Sequence, residues 1–229
     1  IVYLYRQVQL TTYIMIKRGI LLLGTTALIF SSCIEHEVIP APVPTVDLSC
    51  NFYGEINGAS IELTENVLSY TNVSTKDQII LAAPAFSSAV YYSQMLSPQV
   101  LTSIKVGLGS VSWDATVAPD PSLSTFNAFM ATNDTPAYSN NGTNGFEVTF
   151  RDGSGREWTS SDASTNLQDV AFTGIVQESD SSGDYSLFIC NFDCFAYSLN
   201  PDSLALPTPV IHVDSISIQN AVYQGWFKR

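Results

Sequence analysis

The stretch that decides the fold is residues 46–64, "VDLSCNFYGEINGASIELT". In its first half, apolar residues alternate with polar ones, which is the two-residue period of a β-strand with one buried face. The apolar positions are Val46, Leu48, Cys50, Phe52 and Ile56. The pair Asn57-Gly58 follows, and it favours a type I′ hairpin turn because both central positions of that turn need positive φ.

This turn fixes the register of the two strands on either side of it. If Ile56 pairs with Ala59, then Phe52 faces Leu63 across the hairpin. The apolar residues of the second strand then fall on the apolar face of the first, so pattern and turn agree. We therefore predict a β-hairpin whose shared face contributes to a core.

Similar patterns predict strands further along the chain. In residues 146–160, "FEVTFRDGSGREWTS", a turn with Gly155 in the left-handed region would set Phe150 opposite Trp158. Another pair is expected to run from residues 170–176 through the turn "SDSSGD" and back through residues 185–197. In the last strand, the apolar phase changes between Ile218 and Ala221, as a β-bulge requires.

Only one short helix is predicted. Asp120 would be its N-cap and Pro121 its first residue, with Leu123, Phe126 and either Phe129 or Met130 on one side. The predicted fold is all-β: an antiparallel β-sandwich formed by residues 46–229, with a jelly roll as one form that it could take.

The N-terminal part has the composition of a targeting segment. Residues 15–33, "MIKRGILLLGTTALIFSSC", combine a basic start, an apolar run over residues 19–30 and two serines before Cys33. A helix of that run would be roughly 18 Å long, too short for a bilayer core of about 30 Å. We interpret residues 15–32 as a signal peptide and residues 1–14 as an extension of the gene model.

The end of this signal resembles the lipobox of bacterial lipoproteins, with Phe30 at a position where such signals usually carry Leu. The resemblance implies that the Cys33 thiol receives a diacylglycerol, that the signal is removed and that Cys33 becomes the first residue. Two or more acyl chains give a stable membrane anchor, since each buried CH₂ adds about 0.8 kcal/mol.

The residues after Cys33 are predicted to form a tether, residues 33–45. Glu35 and Glu37 resemble the surface-export signal of lipoproteins from Bacteroidota-type bacteria, the alternative being a merely acidic tether. Three alternate prolines favour polyproline II at about 3.1 Å per residue, so the tether could reach roughly 37 Å. We expect an outer-membrane location, lipid-anchored and at the cell surface, with the periplasmic face as the alternative.

Charge limits the partners of the mature chain. The whole chain has a net charge of −12, and residues 1–32 contain three basic residues and no acidic ones, so their removal lowers the charge by three to −15. Such a surface repels phosphate backbones and anionic head groups, which argues against nucleic-acid binding. Membrane attachment is therefore expected to come from the lipid.

Three cysteines remain besides Cys33. Cys190 and Cys194 would lie about 13 Å apart along one strand, beyond the roughly 7 Å limit on Cα separation in a disulfide. A bridge from Cys50 to one of them is a candidate disulfide, and three buried thiols are the alternative. The two histidines, His36 and His212, lack ligand spacing to the cysteines, so no metal or other cofactor is predicted.

No catalytic motif stands out, and we predict a non-enzymatic role. The chain lacks G-x-S-x-G, H-E-x-x-H and a glycine-rich phosphate loop, although a pair of catalytic carboxylates would leave no sequence signature. Trp113, before a polar loop, is the candidate for stacking on a glycan. Ser203 and Ser215 follow aspartates in patterns that resemble the short O-glycosylation motif of Bacteroidota. The segment "DSSGD", residues 180–184, could be a Ca²⁺ site or a plain turn.

These observations leave two functional hypotheses. The first is an accessory or binding subunit of an outer-membrane protein complex, held to the membrane by its N-terminal lipid. The second is a glycan-binding surface lipoprotein, which requires a solvent-facing aromatic ring such as that of Trp113.

Overall fold

The computed structural model describes residues 45–139, 144–163, 167–200 and 213–229. These residues form ten β-strands and one α-helix. The strands are β1 (Asn51–Ile56), β2 (Ala59–Thr64), β3 (Thr71–Ile79), β4 (Ser87–Leu96), β5 (Ser103–Trp113), β6 (Phe146–Arg151), β7 (Glu157–Ser160), β8 (Asp169–Asp180), β9 (Gly183–Leu199) and β10 (Val213–Lys228). The helix, α1 (Leu123–Thr132), follows β5.

The strands form an antiparallel β-sandwich, as predicted. The order is β2-β1-β10-β9-β7-β6-β5-β4-β3, with β8 paired to β9 beside this path. The path does not close into a barrel, because β2 and β3 are its two ends. Instead β10 also contacts β3 and β4, so the two halves of the path face each other.

The strand β9 connects the two halves of the sandwich. Its first part, as far as Asp193, pairs with β8, whereas Ala196 and Tyr197 pair with β7. From β7 back to β3 the strands are neighbours in sequence order, which makes this half a meander. A jelly roll, the form that the sequence left open, would instead require two Greek keys.

Aromatic rings fill the space between the two halves. Phe146 of β6 lies 5.6 Å from Phe172 of β8 and 5.7 Å from Phe192 of β9, ring centroid to ring centroid, and both contacts are edge-to-face. Phe188 and Phe227 lie closer still, at 4.5 Å. Each such pair adds about 0.5–1.5 kcal/mol beyond the burial of apolar area. The core is thus held by rings contributed by both halves.

The first hairpin has the predicted register. Ile56 pairs with Ala59, and Phe52 pairs with Leu63. Asn57 and Gly58 have φ values of 50° and 79°, which are the positive angles of a type I′ turn. The turn residues thus place Phe52 and Leu63 in the core, where both are buried.

The other predicted strand pairs are also confirmed. Phe150 pairs with Trp158, and Gly155 has a φ of 88° in the turn between them. The strands β8 and β9 form the expected long hairpin around the turn at residues 181–182. The register of β10 against β9 shifts between Ile218 and Ala221, which is the predicted bulge.

The predicted start of the helix is wrong by two residues. Ser122, not Asp120, is the N-cap of α1, and its hydroxyl accepts a hydrogen bond from the Thr125 N–H at 3.1 Å. The Asp120 carboxylate instead accepts hydrogen bonds from Lys76 and Gln78 of β3. Asp120 therefore contacts the distant cation Lys76 instead of capping the helix, although a rule based on neighbouring residues assigned it to the N-cap.

Replacing Gly58 with Ala should destabilise the first hairpin. A Cβ at this position would meet no atom within 4 Å, so the cost comes from the left-handed backbone alone, about 1–2 kcal/mol. Urea unfolding measures the loss. Gly153→Ala is the control, because that glycine has ordinary φ and an added Cβ would meet only Thr102 at 3.7 Å. Equal stability of the two variants would contradict the argument.

Candidate functional site

Two of the predicted site residues lie outside the described part of the chain. Cys33, the expected lipidation site, precedes the first described residue, and Ser203 falls within residues 201–212. The lipid anchor, the acidic tether and O-glycosylation at Ser203 therefore stay predictions.

Of the two arrangements that the sequence left open for these cysteines, the structure has three buried thiols and not the candidate disulfide. Cys50, Cys190 and Cys194 are all free and buried. The physical reason is the strand order: β10 lies between β1 and β9. Cys50, next to β1, is thus at least two strand spacings, about 9.5 Å, from the cysteines of β9, and Cys194 is further away because it pairs with Ile218, which lies opposite Ile56. Both separations exceed the roughly 7 Å that a disulfide allows between Cα atoms.

Burial also makes these thiols unreactive. Loss of solvent raises the pKa of Cys50 to about 11 and the pKa of Cys194 to about 12. The pKa of Cys190 is raised well above its ordinary value for the same reason. Because the thiolate is the reactive form, all three behave as small apolar side chains of the core.

Trp113 does not offer the exposed ring that the glycan hypothesis requires. Its side chain at the end of β5 is only 7% exposed, and its indole N–H donates to the Ala118 carbonyl at 3.1 Å. Sugar stacking needs one free face of the ring, whereas here the following loop folds back onto it. Trp158 is buried to a similar extent, as its place opposite Phe150 predicts.

Ser215 lies on an exposed position of β10, where it pairs with Tyr197. Its neighbour Asp214 accepts a hydrogen bond from the Arg156 guanidinium at 2.7 Å. The serine hydroxyl is thus at the surface, but within a paired strand rather than in a loop. O-glycosylation at this position stays a prediction.

An open depression of about 710 Å³ lies next to Ser215. Its apolar lining includes the rings of Phe150 and Trp158 together with aliphatic side chains, and Asp152 and Asp214 are its acidic groups. Asp152 accepts the Trp158 indole N–H at 3.0 Å, and the Arg156 guanidinium lies 4.2 Å from the centre of the same ring. The indole is therefore held at its nitrogen and covered on one face, which leaves little of it for a ligand.

The described residues show neither a metal centre nor a membrane helix. Within the described ranges, no three side chains among His, Cys, Asp and Glu come together to hold a metal ion. Across the same ranges, no helix is both long and apolar enough to cross a bilayer.

The most unusual surface is one that the sequence analysis missed. Residues 79–86, with the sequence "IILAAPAF", comprise Ile79 at the end of β3 and the connection that leads to β4. All eight are exposed and none is charged. Ile79 and Ile80 are each 57% exposed and Phe86 is 66% exposed. We refer to residues 79–86 as the apolar loop. In the sequence, only a run of eight uncharged residues could have indicated this exposed surface, and such a run equally predicts a buried strand.

The apolar loop adjoins a group of hydrogen bonds at the same end of the sandwich. Asp120 binds Lys76 and Gln78, which immediately precede the loop on β3. The carbonyl of the next residue, Pro121, accepts a hydrogen bond from the Arg229 guanidinium at 3.0 Å. Arg229 in turn binds Asp184 at 2.6 Å. We call these six residues the end network.

The first described residues of the chain reach the same end. The Val46 N–H donates to the Asp180 carboxylate at 3.0 Å, in the turn that also contains Asp184. Asp180 further accepts the Ser182 and Gly183 N–H groups, so the "DSSGD" segment is a turn whose carboxylates bind protein donors. The first described residues, at Val46, therefore lie next to the end network.

Comparisons with known proteins found no match. Neither a family model, nor a curated protein, nor a solved structure is significantly similar to this chain.

The three core thiols should react only after unfolding. With iodoacetamide at neutral pH, we expect Cys50, Cys190 and Cys194 to stay unmodified in the folded protein and to be fully alkylated in denaturant, because burial raises each pKa. Peptide mass spectrometry without reductant measures each site. A peptide pair linked through Cys50 would contradict the strand-order argument.

Acid should weaken the end network. Hydrogen bonds from Ser179 and Arg229 hold the pKa of Asp184 below its ordinary value, and those from Lys76 and Gln78 do the same for the pKa of Asp120. A carboxylate with a lowered folded pKa adds stability above its unfolded pKa, and this contribution is lost as the pH falls through the lowered value.

We therefore expect Asp184→Asn to flatten the dependence of unfolding free energy on pH below about pH 4. Urea unfolding from pH 2 to 6 measures how the unfolding free energy changes with pH. Asp77→Asn is the control, because it also removes one carboxylate but lies on the exposed side of β3. If both variants show the unchanged slope of the parent protein, Asp184 contributes nothing to acid stability.

Proposed function

We propose that this protein is a lipid-anchored, non-catalytic lipoprotein of the outer membrane that acts as an accessory or binding subunit of a membrane protein complex. The observation that carries the proposal is the stretch of residues 15–33, a short apolar signal that ends at Ser31, Ser32 and Cys33. Acidic residues and alternate prolines follow it, as a surface tether would require.

Features of the folded domain support a binding role. Its thiols are protonated in the core, and its acidic turn at residues 180–184 is occupied by protein donors. Its apolar loop, in contrast, is exposed at the end where the chain enters the domain. Exposed apolar surface of this kind is typical of contact with another molecule or a membrane.

The glycan-binding alternative is weakened by the burial of Trp113. A lectin-like site would need another ring, and the two rings beside the 710 Å³ depression belong to the buried residues Phe150 and Trp158. A glycan array with the purified protein is the direct test of this alternative.

Lipidation at Cys33 is the first consequence to test. The mature N-terminal peptide should begin at Cys33 and carry the mass of a diacylglycerol, measured by mass spectrometry of protein purified from membranes. Cys33→Ser should abolish the added mass and release the protein from the membrane fraction, whereas Cys50→Ser should not. An unmodified Cys33 peptide would refute the anchor.

The partner can be identified by affinity purification. In mild detergent, the tagged protein should bring along a stoichiometric outer-membrane protein, identified by mass spectrometry. Recovery of the lipoprotein alone, repeated after chemical cross-linking, would refute the subunit role while leaving the anchor intact.

A further inference from the structure

We propose that the apolar loop, residues 79–86, is a second membrane contact that inserts into the interfacial layer of the lipid bilayer to which the chain is anchored. This inference rests on the proposed lipid anchor for its setting, but the loop's chemistry and position come from described residues. On this proposal, the end of the sandwich that contains the end network faces the membrane.

The apolar loop exposes a cluster of large apolar side chains. Ile79, Ile80, Leu81 and Phe86 expose large apolar side chains, and the residues between them are alanines and one proline. Val117, in the neighbouring connection after β5, is 83% exposed. Water is a poor solvent for this surface, and a soluble domain normally buries such a cluster or uses it for binding.

The apolar loop lies at the same end of the sandwich as the first described residues of the chain. Asn51 pairs with Gln224 in the antiparallel ladder of β1 and β10, and continuing this register places Val46 level with Arg229. The Arg229 side chain reaches Pro121, whose neighbour Asp120 binds the end of β3 just before the loop. The chain therefore enters the domain at the end from which the apolar loop projects.

The charges near the loop and of the whole mature chain favour a lipid interface over electrostatic docking. The cations nearest the loop are paired: Lys76 with Asp120, and Arg229 with Asp184. The mature chain is strongly acidic overall and would be repelled by anionic head groups. Insertion must therefore come from apolar side chains, so it should occur in zwitterionic lipid and depend little on salt.

Backbone hydrogen bonding limits the depth of insertion. The Leu81 N–H donates to the Ser87 hydroxyl at 2.9 Å, and the Ala85 N–H donates to the Ala82 carbonyl at 3.1 Å. Ile79 also pairs with Ser88 in the β3–β4 ladder, and the Leu81 carbonyl accepts from the Ser87 hydroxyl at 3.5 Å. Loop peptide groups without such a partner need water, which the hydrocarbon core does not supply. The loop is thus suited to the head-group boundary, about 5–10 Å deep, where water is still present.

The experiment places a fluorescent reporter in the loop. Phe86→Cys is labelled with an environment-sensitive dye in the full chain, which is purified from membranes and reconstituted into phosphatidylcholine vesicles. The buried thiols of Cys50, Cys190 and Cys194 should not react in the folded protein. Leu101→Cys is the control, because Leu101 is 53% exposed in the β4–β5 connection at the opposite end of these strands.

We expect brominated lipid to quench the dye at position 86 and aqueous iodide to quench it at position 101. Ile79→Ser together with Ile80→Ser should lower the inserted fraction at position 86, with the insertion equilibrium falling at least about tenfold. Val67→Ser together with Leu101→Ser, which removes similarly exposed apolar side chains elsewhere, should leave it unchanged.

Quenching of position 86 by iodide and not by brominated lipid would overturn the proposal. If iodide reaches position 86 in the phosphatidylcholine vesicles but not in native membranes, the loop is covered by a protein rather than by lipid, and this result also overturns the proposal. Peptide mass spectrometry of the same sample reports lipidation of Cys33 separately. If Cys33 has a free thiol, the quenching is read on the Cys33→Ser chain, so failure of the anchor and failure of the loop are distinguishable.

Discussion

The structure depends on the long antiparallel pairing of β9 with β10. This ladder runs from Val213 opposite Leu199 to Lys228 opposite Tyr185, interrupted only by the bulge after Ile218. The strand β10 also receives β1, and β9 receives both β8 and β7. Among the described residues, no other ladder joins β10 and the first hairpin to the rest of the sheet, so losing this pair would detach them from β9 and the meander.

The same arrangement determines the chemistry of the core. Alternate residues of β9 and β10 point inward, so Cys190 and Cys194 lie among phenylalanine rings, and Tyr223 of β10 lies beside them. Burial raises the pKa of Tyr223 above its ordinary value, and its hydroxyl is satisfied by Ser93 and Asn72 of the other half. These polar contacts in the interior connect β10 to β3 and β4 with a fixed geometry.

The end of the sandwich near the apolar loop combines features that are distant in sequence. The last residue, Arg229, binds the β8–β9 turn and the connection that leads into α1, while Val46 binds the same turn. These hydrogen bonds connect three separate parts of the chain at this end, from which the apolar loop projects. A rigid base suits a surface contact, since less conformational freedom is lost on binding.

Much of the fold could be predicted locally. The Asn57-Gly58 turn fixed the register of the first hairpin, Gly155 fixed the second, and the phase change after Ile218 located the bulge, because turn geometry and strand period act over a few residues. The helix start was missed by two residues because Asp120 has distant partners, Lys76 and Gln78, that no local pattern reveals.

The sequence by itself determined the hairpins around Asn57-Gly58 and Gly155, the β8–β9 hairpin and the bulge of β10, since period and turn type are properties of neighbouring residues. Only the tertiary structure decided the order of these hairpins within the sheet. It placed β10 between Cys50 and the cysteines of β9, which prevents a disulfide, and it folded a loop over Trp113. It also left the apolar loop outside the core, although its composition resembles that of a buried strand, because burial depends on the packing of the whole sheet.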